Sequence, residues 1–236
     1  MTPFKSLLGA VLVGLSLVGP GHAATYDIDP QNPNNVFKDA SGQNGWYVGV
    51  RQSLKVGNNT LRGDIAAGLF RLVEDLPGPI DRAFVAFCLS PDVRLNLRVD
   101  YAAGTFLDPL KIGALGALRR YAFDLVSNSV TAGAFQLAIW EIVSESGAFD
   151  LGAGTIKFSS SNSSGNQAIS LASTWLENIQ SGLWKPSTAG MRFHDAQGVS
   201  QDLLEIAPVP LPAAGFALLG GLGLLAGAAR RRRRTA

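Results

Sequence analysis

The chain has 236 residues, 47% of them apolar, 16% charged and 8% aromatic, which is long enough for a real core and too hydrophobic for a disordered polymer. Glycine and proline make up roughly one residue in six, so short elements and many turns are expected. Of the 20 lysines and arginines, Lys5 and the five arginines Arg230 to Arg234 lie in end segments; the remaining 14 face 18 acidic residues, and so acidic a body excludes a nucleic-acid binder, which needs a basic face.

The chain opens with Lys5, an apolar run from Leu7 to Val18, then Pro20 and Gly21-His22-Ala23. This is the pattern of a secretory signal peptide over 1–23, cut after Ala23; the apolar run is too short for an anchor and stops at Pro20. Residues 24–45 form an arm. Its stretch from Asp27 to Asn35 is rich in proline and asparagine and reads as turn, with Asp and Asn side chains bonding their own backbone rather than calcium.

From Gly45 the apolar period becomes two. Trp46 to Val50, Gly68 to Val73 and Arg82 to Leu89 read as strands, the last bounded by Pro77, Pro79 and Pro91. A switch follows: Ile112, Leu115, Leu118, Tyr121, Ala122, Leu125 and Val126 recur at three and four, the spacing of one helix face. Ala132 to Ser146 and Ile169 to Ile179 repeat that pattern, with the polar stretch Ser159 to Gly165 between them predicted as loop. Met191 to Phe193 and Leu203 to Ile206 are two further strands joined by the turn Asp195 to Gly198. Strands, then helices, then strands argue an α+β domain: a β-sandwich or barrel with an inserted helical subdomain, over the 189 residues from Ala24 to Pro212.

The chain ends with Val209-Pro210-Leu211-Pro212-Ala213, a chargeless stretch over 213–229, and the arginine tail over 230–234. As a helix the 213–229 stretch spans about 25 Å, at the short end of what a bilayer accepts. The arginines hold the tail in the cytoplasm and the body outside. Residues 207–236 resemble the PEP-CTERM class of sorting signals in its VPLPA form, matched over Val209, Pro210, Leu211, Pro212 and Ala213. That resemblance implies a Gram-negative bacterium. It also implies an exosortase-type membrane enzyme as a partner, which cuts the transient C-terminal anchor and delivers the body to the outer surface or the medium.

The body holds one histidine, His194, and one cysteine, Cys88, too few ligands for an ordinary zinc site. A cysteine or serine hydrolase would have to use His194, and no nucleophile-elbow motif accompanies it. A lone cysteine in an exported protein is buried and inert, paired with another chain, or a reactive thiol. Phe84, Ala86 and Cys88 share one face of their strand, so Cys88 also fits as a small core hydrophobe.

Three short patterns stand in order: Phe87-Cys88-Leu89-Ser90, then Phe135-Gln136-Leu137-Ala138-Ile139-Trp140, then Ser200-Gln201-Asp202-Leu203-Leu204. Over Trp46 to Ile206 they resemble the bacterial surface domains with an internal Cys–Gln thioester, the TQXA type, with Phe135 in place of that family's threonine and Ser200 in place of a hydrophobic residue. The resemblance implies a thioester-type domain over 46–206. In that family the late glutamine, here Gln201, donates the carbonyl, while Phe87, Gln136, Ala138, Ile139 and Trp140 are structural; Gln136 stands as the alternative acyl donor. Read as strands, the segment beginning at Gln201 can also pair beside the Cys88 segment, so that both side chains meet on one face. A sulfur held against a carboxamide in a dry pocket can expel ammonia and leave an acyl–sulfur bond, by proximity and without cofactor or catalytic set. An amine-bearing partner, on another surface or a host, then attacks once, which describes an adhesion device rather than an enzyme. Trp140, Phe135 and Tyr121 are the candidates to shield such a bond from water. The alternatives are a non-reactive surface or extracellular-matrix protein of the same fold and a cysteine hydrolase using His194.

Overall fold

The computed structural model describes residues 24–28, 37, 46–75, 82–96, 98–105 and 107–206. The signal peptide over 1–23, most of the arm, and the sorting signal over 207–236 with its 213–229 helix lie outside the described residues.

Among the described residues the chain builds a barrel, a small sheet and three helices. Strands β1 (Ala24–Ile28), β4 (Phe70–Asp75), β5 (Arg82–Cys88), β6 (Asp100–Ala103), β8 (Met191–Asp195) and β9 (Leu203–Ile206) close into a barrel in the order β1-β4-β5-β9-β8-β6, every pairing antiparallel. Strands β2 (Tyr47–Val56), β3 (Asn59–Gly68) and β7 (Ile156–Ser159) form the second sheet, in the order β3-β2-β7. Alternation makes β2: Val48, Val50, Gln52 and Leu54 point inward, and the residues between them are exposed or half-buried. Its hairpin to β3 turns on Gly57-Asn58, where Gly57 takes φ +59°, a left-handed conformation that favours glycine at the first position of a tight turn.

Helix α1 (Pro109–Ala122) starts where the Asp108 carboxylate accepts from the amides of Leu110 and Lys111 and Pro109 presets the first turn. Helix α2 (Ser129–Ser144) begins with a reciprocal cap between Asn128 and Thr131. It is then buried without interruption from Ala132 to Ile142, as expected of a helix packed on every side. It contacts α1, α3 (Ser163–Gln180), β2, β3 and β5. Gly133 permits the approach to the small sheet, since a Cβ there would stand 2.4 Å from Val48 Cγ2. Phe135 sits in the centre, 4.6 Å from the Phe87 ring and 6.3 Å from Trp175; full burial of such a side chain contributes roughly 1.5–3 kcal/mol.

Mixed α+β architecture with a curled sheet is therefore observed, and of sandwich or barrel the main sheet is a barrel. Several sequence expectations need correction. Asp27 and Ile28 belong to β1 rather than to a turn. The Gly68–Val73 stretch spans the end of β3, a break at Leu69 and the start of β4. Helix α3 begins at Ser163, inside the expected polar loop, because Asn162 caps it by accepting from the Gly165 amide at 2.7 Å. The helices are not one uninterrupted block, since β7 lies between α2 and α3. Strands β3, β6 and β7 were not legible. Most of β3 is exposed and carries no apolar alternation, and β6 and β7 have four residues each.

Candidate functional site

Cys88 ends β5, fully buried, with Phe87 and Leu89 on either side also buried. Strand β9 covers one edge of β5 there: Cys88 stands opposite Leu203, and the Leu89 amide donates to Asp202 O at 2.9 Å. On the other edge β4 stops short, its Phe70 facing Ala86, so the Cys88 peptide has no strand partner on that side. Gln136 takes that place. Its Oε1 accepts from Cys88 N at 2.9 Å and its Nε2 donates to Cys88 O at 2.7 Å. A carboxamide offers one donor face and one acceptor, as a peptide group does, and a buried backbone pair needs both.

Gln201 lies two residues before the ladder partner of Cys88, the diagonal position across the β5–β9 pair. The regular strand begins at Leu203, as the pattern over Leu203 to Ile206 predicts, so Gln201 stands two residues ahead of it rather than at its start. Gln201 is half-buried; its Nε2 donates to Val93 O at 2.7 Å, and its carbonyl Oε1 is buried with no hydrogen-bond partner among the described residues. The loop that leaves Cys88 is tied down from several directions. Ser90 Oγ donates to Asp202 Oδ2 at 3.1 Å and accepts from Asp202 N at 3.2 Å, and Gln52 Nε2 donates to Pro91 O at 3.2 Å.

Trp140, one turn beyond Gln136 on α2, is 3% exposed and stacks on Phe158 at 5.9 Å. Its indole nitrogen makes no well-formed hydrogen bond among the described residues. Burial pushes the Cys88 thiol up to about 12; the nearby Trp140 N–H and the Ser90 backbone N–H oppose that shift without offsetting it. Trp140 and Gln201 both line a cavity of about 240 Å³, whose other walls include Phe37, Ile65, Phe70 and Leu95. Phe37 closes over it, 5.3 Å from the Phe70 ring and 4.7 Å from Tyr47. A larger cleft of about 380 Å³ shares Pro91 with this cavity and carries Asp92, Asp195 and Asp202 against Lys55.

The remaining residues singled out in the sequence take other positions. Ala138 and Ile139 are fully buried in α2. Tyr121 stacks on Trp184 at 5.4 Å. Ser200 is buried, donates to Asn96 O at 2.9 Å, and accepts from Asn96 N at 2.9 Å and from the Tyr101 hydroxyl at 3.1 Å. A polar residue is thereby accommodated in an apolar motif position. His194 lies in the same cross-strand row as Leu203 and Cys88 but two strands from the cysteine, a separation of about 10 Å at ordinary strand spacing. Its Nε2 is 2.9 Å from Glu205 Oε2, so the histidine is committed to a buried carboxylate.

Sequence reasoning missed the charged cluster around that carboxylate. Arg82 reaches both Glu205 oxygens at 2.6 and 3.0 Å and Glu74 at 2.6 Å. Glu141 was missed too: its Oε1 accepts from Asp150 N at 2.6 Å, and its Oε2 is buried without a partner among the described residues. A lone acid inside the apolar run Ala132 to Ile142 was its available signal.

No family model matches the chain and no curated protein matches it. A solved structure, the N-terminal thioester domain of fibronectin-binding protein SfbI from Streptococcus pyogenes, is similar at 15% identity and a TM-score of 0.40, over 68% of this chain and 94% of that one. The likeness is one of broad arrangement, and the reading of the site rests on the contacts of Cys88, Gln136, Trp140 and Gln201 themselves.

Proposed function

We propose that the protein is an exported, surface-sorted adhesin whose body carries a thioester between Cys88 and Gln201. The observation that carries this reading is the β5–β9 register, in which Gln201 stands diagonal to Cys88 with its carbonyl oxygen unengaged. Gln136 is the poorer acyl donor, because both ends of its carboxamide already serve the Cys88 backbone. In the forming step the Cys88 sulfur adds to Gln201 Cδ, the C–N bond breaks, and ammonia leaves with the thiol proton. In the attaching step a partner's primary amine attacks the same carbon, the C–S bond breaks, an amide forms, and the proton returns to the sulfur. Neither step needs a general base on His194; both need contact geometry and a site poor in water. The reaction proceeds once per molecule, so the protein is a covalent binder rather than an enzyme. The signal peptide and the VPLPA segment fit such a role: export across the inner membrane, transient anchoring by the C-terminal helix, then transfer by an exosortase-type enzyme to the outer surface or the medium.

A second reading, a non-reactive surface protein of the same fold, draws on the raised pKa of the fully buried thiol, which suits an inert core residue. Intact-mass measurement of the full chain separates the two. A deficit of one ammonia is expected, abolished by Cys88→Ala and by Gln201→Ala and retained in Gln167→Ala on the outer face of α3; an unmodified mass in the parent chain rejects the thioester.

A further inference from the structure

A donor that meets only a weakly accepting thiol sulfur among the described residues and an acceptor without a donor line the same small cavity. The donor is Trp140 Nε1, on a side chain more than nine-tenths buried; the acceptor is Gln201 Oε1. The side chains around them are apolar: Phe37, Ile65, Phe70 and Leu95 carry no polar atom that could serve either one. Among the residues lining the cavity, the only other side-chain donor is the amide of Gln201, and that nitrogen is spent on Val93 O. A buried indole N–H usually finds a partner, and leaving one unmade in a dry site is unfavourable by about 1–3 kcal/mol. The Cys88 sulfur beside it is a weak acceptor, so the N–H keeps most of its donor strength for an oxygen that gains charge on the carbon the sulfur attacks.

We propose that the Trp140 indole N–H is the oxyanion donor for the acyl carbon of Gln201, a catalytic residue for both making and opening the thioester. This deepens the thioester reading and rests on it. When the Cys88 sulfur adds to Gln201 Cδ, the carbonyl π pair moves to Oε1, which becomes an alkoxide. Collapse restores the C=O bond and releases ammonia. Attack by an amine on the thioester builds the same negative oxygen a second time and releases the thiol. In both directions the charge develops on one atom, in a low-dielectric cavity where a fixed N–H is worth far more than in water. Helix geometry explains the placement: Gln136 and Trp140 are four residues apart on α2 and share a face, so the helix that holds the Cys88 backbone also carries the donor toward the reacting carbon. The proximity of the indole to the sulfur agrees with this.

The test uses the full chain with methylamine as the probe amine, following mass gain and thiol release. Trp140→Phe keeps the aromatic bulk over the site and removes the N–H. The expected result is capture of methylamine slowed on the order of 10²-fold at a thermal midpoint close to the parent's. The infrared band of the thioester carbonyl should also move to higher frequency, because the hydrogen bond that weakens it is gone. If Trp140→Phe lowers the thermal midpoint as well, replacing Trp140 by benzothienylalanine, which exchanges the N–H for sulfur at constant shape, decides the matter. Slowed capture in that variant supports the donor role. Unchanged capture rate and carbonyl band in the N–H-free variant overturn it while leaving the thioester standing. A parent chain with no ammonia deficit overturns the thioester and the donor role together.

Discussion

Gln136 illustrates how much one side chain holds in place. Strand β4 reaches only as far as Ala86, and the next peptide on that edge without a strand partner belongs to Cys88. Both of its polar groups are taken by the Gln136 carboxamide. Gln136→Ala strands a buried N–H and a buried C=O at about 1–3 kcal/mol each, so urea denaturation is expected to show a loss of about 2–6 kcal/mol. A loss below about 1 kcal/mol would mean that the loop after Cys88 rearranges to satisfy its own backbone. The residue pattern around Gln136 was legible in the sequence, because glutamine amid Phe135, Leu137, Ala138 and Ile139 is a polar group in an apolar helix. Its partner was not legible, since nothing local says which peptide, 48 positions away, lacks a strand neighbour.

At the scale of elements, four barrel strands are joined by one charged cluster. Arg82 on β5 bridges Glu74 on β4 and Glu205 on β9, and His194 on β8 meets Glu205 from the other side. Burial alone would raise the Glu205 carboxyl, but hydrogen bonds from His194 and Arg82 outweigh it and hold the group at about 2. Removing one partner of a buried pair leaves an uncompensated charge. Arg82→Ala is therefore expected to destabilise the barrel by about 3–5 kcal/mol, measured at pH 7, with part of the loss recovered in the double variant Arg82→Met, Glu205→Gln. No recovery in the double variant would argue that Arg82 acts by packing over Phe84, 4.9 Å beneath its guanidinium, rather than through charge. The strands themselves were legible from alternation, but the cluster was not: nothing in the local spacing of Arg82, Glu74 and Glu205 marks them as partners until the barrel closes around them.

For the molecule as a whole, two buried acids shape stability against pH in opposite senses. The folded pKa of Glu205 lies below its ordinary value of 4.5, so the stability it contributes is complete above that value and drains away as the pH falls toward 2. Glu141 is the reverse case. Burial, with Glu145 and Asp150 nearby, raises it to about 7 against the hydrogen bond from the Asp150 amide. The folded chain then holds a proton that the unfolded chain gives up, and stability declines as the pH rises from 4.5 to 7. The thermal midpoint is expected to climb from pH 2 to about 4.5 and to sag toward pH 7. Glu141→Gln should flatten the second limb and raise the midpoint at pH 8, and an unchanged limb in that variant would assign the decline to another group. Alternation, helical spacing, the capping residues Asp108 and Asn128, and the end segments are properties of short windows, so the sequence by itself determined the α+β class, three helical regions, the export and sorting expectations and the candidate trio Cys88, Gln136 and Gln201. What joins distant windows was decided by the tertiary structure: closure of the barrel through β1, the diagonal approach of Gln201 to Cys88, the engagement of Gln136 with the cysteine backbone and the approach of the Trp140 N–H to the cysteine sulfur. Those depend on strand register and on where a neighbouring strand ends, which follow from packing across the whole domain and leave no trace in the spacing of residues along the chain.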